Sequence, residues 1–247
     1  MAGTLPATPR TELTPDRRDD VSFTITLPEQ RMTEQLPTLD VRPTDRDRIP
    51  PGQSETRKWP VLHYGNVPVV NPAEWRFEFR GLCDAPQEFT LEQIQALPRQ
   101  ITRCDIHCVT RWSRLNNDFE GVSVPYLLAL AKPRPEVTHV MVFAEPGFTT
   151  NLPLSDLDRP ENVLAWKHDG IDLTPDHGWP MRLLVPHLYF WKSAKWVRGF
   201  EFLNADAPGF WEQNGYHMYG DPWKEQRHSS FNVSQWMINA FRSKSKE

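Results

Sequence analysis

The chain has 247 residues, a formal net charge of -4, an apolar fraction of 38% and three cysteines. That length admits one large domain or two small ones, and beyond residue 58 no long block of one charge sign recommends a polyphosphate partner such as nucleic acid. Three cysteines, Cys83, Cys104 and Cys108, do not make a disulfide framework and fit a reducing compartment.

Residues 1 to about 57 are rich in Pro, Asp, Glu, Arg and Thr and poor in aromatics, so they bury too little surface to offset chain entropy. They are expected to form an arm, disordered or draped over a single domain spanning 58–247. Within the arm, the alternation from Val21 to Leu27 allows an edge strand. Arg17-Arg18 suggests a twin-arginine export signal, but Asp19-Asp20 and the residues that follow supply no apolar segment of about 7–15 residues. No window approaches the roughly 20 apolar residues of a spanning helix. The expected location is cytoplasmic, without a membrane partner.

From Trp59 onward the pattern changes to short, mostly strand-like elements. Trp75 to Arg80 alternates apolar and charged residues, as a half-buried strand does. Thr90-Leu91-Glu92-Gln93 has the spacing of a capping box and opens a helix that Pro98 closes. Val124 to Ala131 predicts a second short helix, stopped by Lys132-Pro133. Strands are expected at Thr138 to Ala144, Val163 to Lys167, Met181 to Val185 and Trp196 to Leu203, with Asp169-Gly170 as a tight hairpin turn. These elements make an α+β chain in which strands dominate and helices are few.

Chemistry concentrates in Arg103-Cys104-Asp105-Ile106-His107-Cys108-Val109-Thr110-Arg111-Trp112-Ser113. Cys104, His107 and Cys108 form a Cys-x-x-His-Cys cluster, but structural zinc takes four ligands at stereotyped spacing and there is no second Cys pair. A lone thiolate among basic and aromatic neighbours suits a soft metal; its bland alternative is a small, inert, buried side chain. Further on, Arg182, Lys192 and Lys195 would each, in isolation, be read as solvated charges.

Together, the Cys108 segment, Asp176-His177-Gly178-Trp179-Pro180-Met181-Arg182 and Lys192-Ser193-Ala194-Lys195-Trp196 resemble, in order, the motifs of the sulfite oxidase-like molybdopterin oxidoreductases. The resemblance runs over roughly residues 59 to 228. It implies the family's strand-dominated mixed sheets and a molybdenum–molybdopterin cofactor, with Cys108 rather than Cys104 as the metal's thiolate ligand. Arg111 would keep that sulfur ionised and hold an anionic substrate such as sulfite, with Arg103 second. His177 and Arg182 would hydrogen-bond the pterin and its phosphate, and Lys192, Ser193 and Lys195 would close over the phosphate.

Trp59 to Pro68 resembles the N-terminal cofactor loop, which places His63, Tyr64 and Asn66 on the pterin. Phe148 to Leu154 resembles a loop that contributes a hydroxyl, from Thr149 or Thr150, and Tyr216 lies where a site tyrosine is expected. The basic cluster beside the cysteine and the dimerisation domain of the animal enzymes are not reproduced, and no Cys-x-x-Cys-His haem signature occurs. The implied activity is a two-electron oxygen-atom transfer of sulfite oxidase or dehydrogenase type, with an external electron carrier protein. Two alternatives remain: an S- or N-oxide reductase on the same scaffold, and a non-catalytic pterin-binding protein.

Overall fold

A computed structural model of the protein describes residues 36–45 and 47–229. Arg17-Arg18 and the edge strand expected at Val21 to Leu27 lie outside the described residues. In chain order the elements are β1 (Thr38–Asp40), β2 (Ser54–Glu55), β3 (Arg76–Gly81), β4 (Glu88–Thr90), α1 (Leu91–Gln95), β5 (Arg99–His107) and β6 (Trp112–Ser123). They continue with α2 (Val124–Ala131), β7 (His139–Ala144), β8 (Phe148–Pro153), α3 (Leu154–Leu157), β9 (Val163–His168), β10 (Ile171–Asp172), β11 (Arg182–Leu184), β12 (Val197–Leu203) and α4 (Phe210–Gln213).

Two mixed sheets result. One runs β4-β3-β12-β7-β8, with β12 parallel to β3 and its other pairs antiparallel. The other runs β1-β5-β6-β9-β10, with β11 also on β9 and β2 also on β6. The strand at Trp75 to Arg80 forms as its alternation predicts: Phe77 and Phe79 are buried and meet Phe200 of β12 at 5.1 Å and 6.3 Å between ring centroids. Burying a side chain of this size contributes about 1.5–3 kcal/mol, so this aromatic pile anchors the larger core. Both predicted helices form. In α1, Thr90 Oγ1 accepts from the Gln93 amide and the Gln93 side chain accepts from the Thr90 amide, a complete capping box worth about 1 kcal/mol. Asp169 and Gly170, at φ 50° and 80°, turn β9 into β10, the left-handed pair that a two-residue hairpin needs.

The longest hairpin, β5–β6, was not legible as strands. Its pairing shifts register between Cys104 and Ile106, so the period-two alternation breaks within β5. Charged side chains along it find cross-strand partners instead: Arg103 donates to both oxygens of Asp118 at 2.7 and 2.6 Å, and Arg99 meets Glu120 at 2.9 Å. Residues 148–153, expected as a loop, are strand β8, paired along their length with β7. Part of the expected arm, within residues 38–55, lies on the domain. The chain joins the sheet from Thr38, where β1 runs parallel to β5, and β2 runs parallel to the start of β6. Arg48 then forks onto the buried Asp105 carboxylate at 2.8 and 2.5 Å.

Candidate active site

Cys108 opens the four-residue turn that joins β5 to β6. The Cys108 amide donates to Trp112 O at 2.9 Å, the Arg111 amide donates to Cys108 O at 3.1 Å, and Arg111 takes a left-handed φ of 73°. This geometry puts the Cys108 thiol on the wall of a cavity of about 340 Å3. Only 8% of Cys108 is exposed, and Sγ lies 3.1 Å from Thr110 Oγ1. Burial raises its pKa despite the opposing charges of Arg227 and Lys195. The free side chain is therefore a thiol, and a metal ion would be needed to hold it as thiolate at neutral pH.

The same cavity is lined by two cations. Arg182, 1% exposed at the start of β11, donates to His177 O at 2.9 Å and Ser193 O at 3.0 Å, lies 4.2 Å from the Phe190 ring centroid and leaves Nε without a partner. Burial pushes its pKa down to about 9. Lys195 donates to Asp176 O at 2.6 Å; burial and then the Arg182 charge push it down to about 7, with the charge of Asp176 opposing. Two desolvated cations on one wall are an unfavourable arrangement that an anion would relieve. His177 lies flat on Trp59, and burial together with Arg182 and Lys195 holds its imidazole neutral, with a pKa near 4. Ser193 Oγ accepts from the Val185 amide at 2.9 Å, which fixes the segment that carries Lys195.

The cavity thus brings together Cys108, His63, Tyr64, His177, Arg182, Ser193, Lys195 and Tyr216. Other expected residues lie elsewhere. Asn66 is exposed and outside the lining. Thr149 and Thr150 sit in β8, also outside it, and Thr150 is fully buried with an unpartnered hydroxyl. Lys192 is fully buried behind the wall. Its ammonium pairs with Glu212 at 2.7 Å and donates to Asn151 O, Asn151 Oδ1 and Met218 O at 2.9, 2.8 and 2.6 Å, which uses its donors on protein groups.

Arg111 also lies outside the lining: its side chain is exposed and reaches toward Gly52 O. Arg103 is held by Asp118 outside the lining. Among the described residues no three His, Cys, Asp or Glu side chains cluster to hold a metal, and His107 Nδ1 lies 2.8 Å from Ser113 Oγ, so a zinc site built from Cys104, His107 and Cys108 does not form. Cys104 packs instead with Ile106 and Phe119 in the smaller core.

Sequence reasoning overlooked Trp59, whose ring stacks on His177 at 3.9 Å and meets the tilted His168 ring at 4.2 Å. Its position at the head of the segment Trp59 to Pro68 was the available signal. It also overlooked Arg227, whose contact with the Cys108 turn no sequence spacing announces.

Comparison with known proteins identifies the scaffold. The oxidoreductase molybdopterin-binding domain family matches residues 64–211. The chain belongs to that family. It is 49% identical over 181 residues, 73% of this chain and 91% of the relative, to the uncharacterized oxidoreductase YuiH of Bacillus subtilis. It is 29% identical to a putative protein-methionine-sulfoxide reductase subunit, YedZ1, of Azospira oryzae, over 70% of this chain and 66% of that one. Among solved structures, the sulfane dehydrogenase SoxCD of Paracoccus pantotrophus superposes with a TM-score of 0.54 at 23% identity, over 58% of this chain and 41% of that chain. The protein is thus a molybdopterin-binding oxidoreductase with the strand-dominated mixed sheets of the sulfite oxidase fold.

The residues present fit such a cofactor. A buried arginine with an unpartnered Nε, a half-buried lysine and a serine are available for a phosphate, and a single soft donor lines the same cavity.

Proposed function

We propose that the cavity holds molybdenum–molybdopterin, with Cys108 as protein ligand to the metal, and that the holoenzyme transfers an oxygen atom on a neutral S- or N-oxide. The observation that carries the cofactor reading is the presence of the lone Cys108 thiol, the buried Arg182 and the half-buried Lys195 in the lining of one cavity. Arg182, His177, Ser193 and Lys195 would hold the pterin phosphate, with Trp59, His63 and Tyr64 along the ring system. Bound there, the cofactor supplies the two-electron oxygen-transfer chemistry, and the protein supplies binding, orientation and electrostatics.

The lining around the thiol favours a neutral substrate. Val109, Thr110, Trp112, Trp211 and Tyr216 are uncharged, whereas Arg111 and Arg103 lie outside the cavity. With Arg182 and Lys195 committed to the phosphate, an oxyanion such as sulfite would lose its water shell there without a further cation in the lining, at considerable cost. A sulfoxide carries no net charge and meets no such penalty. In the net reaction a sulfoxide takes up two protons and two electrons, its sulfur–oxygen bond breaks, and a thioether and one water leave. The electrons come from an external carrier protein.

Tyr216 has its pKa raised by burial, so its hydroxyl keeps its proton at neutral pH and can donate to the substrate oxygen. Lys195, near neutrality, can hold or yield a proton on the cofactor side. The 29% identity to the methionine-sulfoxide reductase subunit of Azospira oryzae supports the same direction. Sulfite oxidation is the second reading, favoured by the charge of Arg227 behind the turn. A cytoplasmic location remains part of this proposal, resting on the three free cysteines that suit a reducing compartment.

The test is molybdenum and pterin content together with two assays on one preparation: sulfoxide reduction with a reduced viologen, and sulfite oxidation with ferricyanide. Bound molybdenum with faster sulfoxide turnover is expected. Faster sulfite turnover would overturn the substrate assignment, and a folded protein that never acquires molybdenum would overturn the cofactor assignment.

A further inference from the structure

The turn that bears Cys108 closes through the Cys108 and Arg111 amides. Its carbonyls at Cys108 and Val109 also accept from side chains near the two ends of the described chain. Gln53 Nε2 donates to Cys108 O at 2.9 Å, and Arg227 Nη1 donates to Val109 O at 2.7 Å. Arg227 Nη2 reaches back to Pro51 O and Gly52 O at 3.3 and 3.4 Å, which ties the N-terminal segment to the same guanidinium. Arg227 is 7% exposed and lies 4.9 Å from the centroid of the Tyr189 ring, so it is packed in place rather than waving in solvent. Gly52, at φ 68°, fills the junction: a Cβ there would run into the Glu225 carboxylate and crowd the Arg111 and Arg227 guanidinium groups. The strand-like return of residues 227–229 along 215–217 carries Tyr216 in the same unit, through the His217 amide to Arg227 O and the Ser229 amide to Gly215 O.

We propose that Arg227 and Gln53 are positioning residues for Cys108, forming a clamp that fixes the thiol-bearing turn from segments outside residues 64–211 of the family match. The clamp rests on the reading of Cys108 as the metal's ligand for its purpose, but not for its existence. A ligand sulfur has to be held within about half an ångström of its place to coordinate well. A four-residue turn with a non-glycine residue at positive φ is not stiff by itself. A guanidinium fork that bridges Val109 to Pro51 and Gly52 supplies the stiffness, and an ammonium cannot make the same bridge.

The experiment is hydrogen exchange on the full-length protein as purified, read on peptides covering residues 108–112, with Arg227→Met and Gln53→Leu against the natural chain. Peptides from 99–104 and 139–144 serve as references in the same samples. The clamp predicts that exchange at 108–112 rises about tenfold, equivalent to about 1.4 kcal/mol of lost local protection, while both reference regions keep their rates. It also predicts a changed spectroscopic signature of the metal centre in Arg227→Met at unchanged metal content, which a purely structural role would not produce. Unchanged exchange at 108–112, a rise shared equally by all three regions, or an unaltered signature would overturn the proposal. If the natural chain carries no molybdenum while the exchange result holds, the cofactor reading fails and the clamp on the turn stands.

Discussion

Trp59 lies flat against His177, with ring centroids 3.9 Å apart and planes 11° from parallel. The indole thereby links the segment that leads into the cavity mouth to the residue whose carbonyl receives Arg182. Trp59→Ala is expected to destabilise the protein by about 2–3 kcal/mol, less than a fully buried tryptophan because the ring is only half-buried. Thermal unfolding checks this, with a fall of several degrees expected and most of it recovered in Trp59→Phe. A Tm equal to that of the natural chain would mean that the stack adds nothing.

His177 and His168 are both held neutral, each pushed down to about 4 from 6.5 mainly by burial. The unfolded chain takes up these protons as pH falls through about 6.5, and the folded chain not until about 4. Their contribution to stability is therefore complete above the upper value and lost as pH falls across that window. Unfolding midpoints measured from pH 7 down to 4.5 should fall steadily, and the double variant His168→Gln with His177→Gln should show a shallower fall. An identical slope would remove these imidazoles from the account.

Lys192 and Glu212 form a fully buried ion pair at 2.7 Å behind the cavity wall. Lys192→Met removes the ammonium and leaves the buried Glu212 carboxylate without it, so a loss of about 3–5 kcal/mol is expected in denaturant unfolding. Adding Glu212→Gln should recover part of that loss. If Lys192→Met instead unfolds like the natural chain and loses only its cofactor, the lysine faces the phosphate after all.

Arg111 is exposed and Tyr216 lines the cavity, so their substitutions should separate. Arg111→Gln is expected to leave kcat and KM for a sulfoxide within about twofold, a change of less than about 0.5 kcal/mol. Tyr216→Phe, which removes the hydroxyl proton donor, should lower kcat by about a hundredfold. A strong rise in the KM for sulfite with Arg111→Gln would restore the anionic-substrate reading.

What was legible in the sequence follows physical range. The Thr90 capping box, the helix from Val124 to Ala131 and the Asp169-Gly170 turn are decided by neighbouring residues, and all three stand where local pattern puts them. The β5–β6 hairpin was missed because a bulge breaks the alternation within β5 and its charges are satisfied across strands. In the site, the ordered motifs led to Cys108, His177, Arg182, Ser193 and Lys195 on one cavity. They could not separate Lys195 from Lys192, since the burial of Lys192 depends on Asn151, Met218 and Glu212 from distant segments. Nor could spacing reveal Arg227, which meets Val109 118 residues away in the chain.

The central claim is that the Cys108 sulfur binds molybdenum in this cavity. X-ray absorption at the molybdenum edge, compared between the natural chain and Cys108→Ser loaded with the cofactor, tests it most directly. The account predicts that the metal loses one sulfur neighbour in Cys108→Ser while Arg182 and Lys195 still retain much of the pterin. An unchanged number of sulfur neighbours would contradict it.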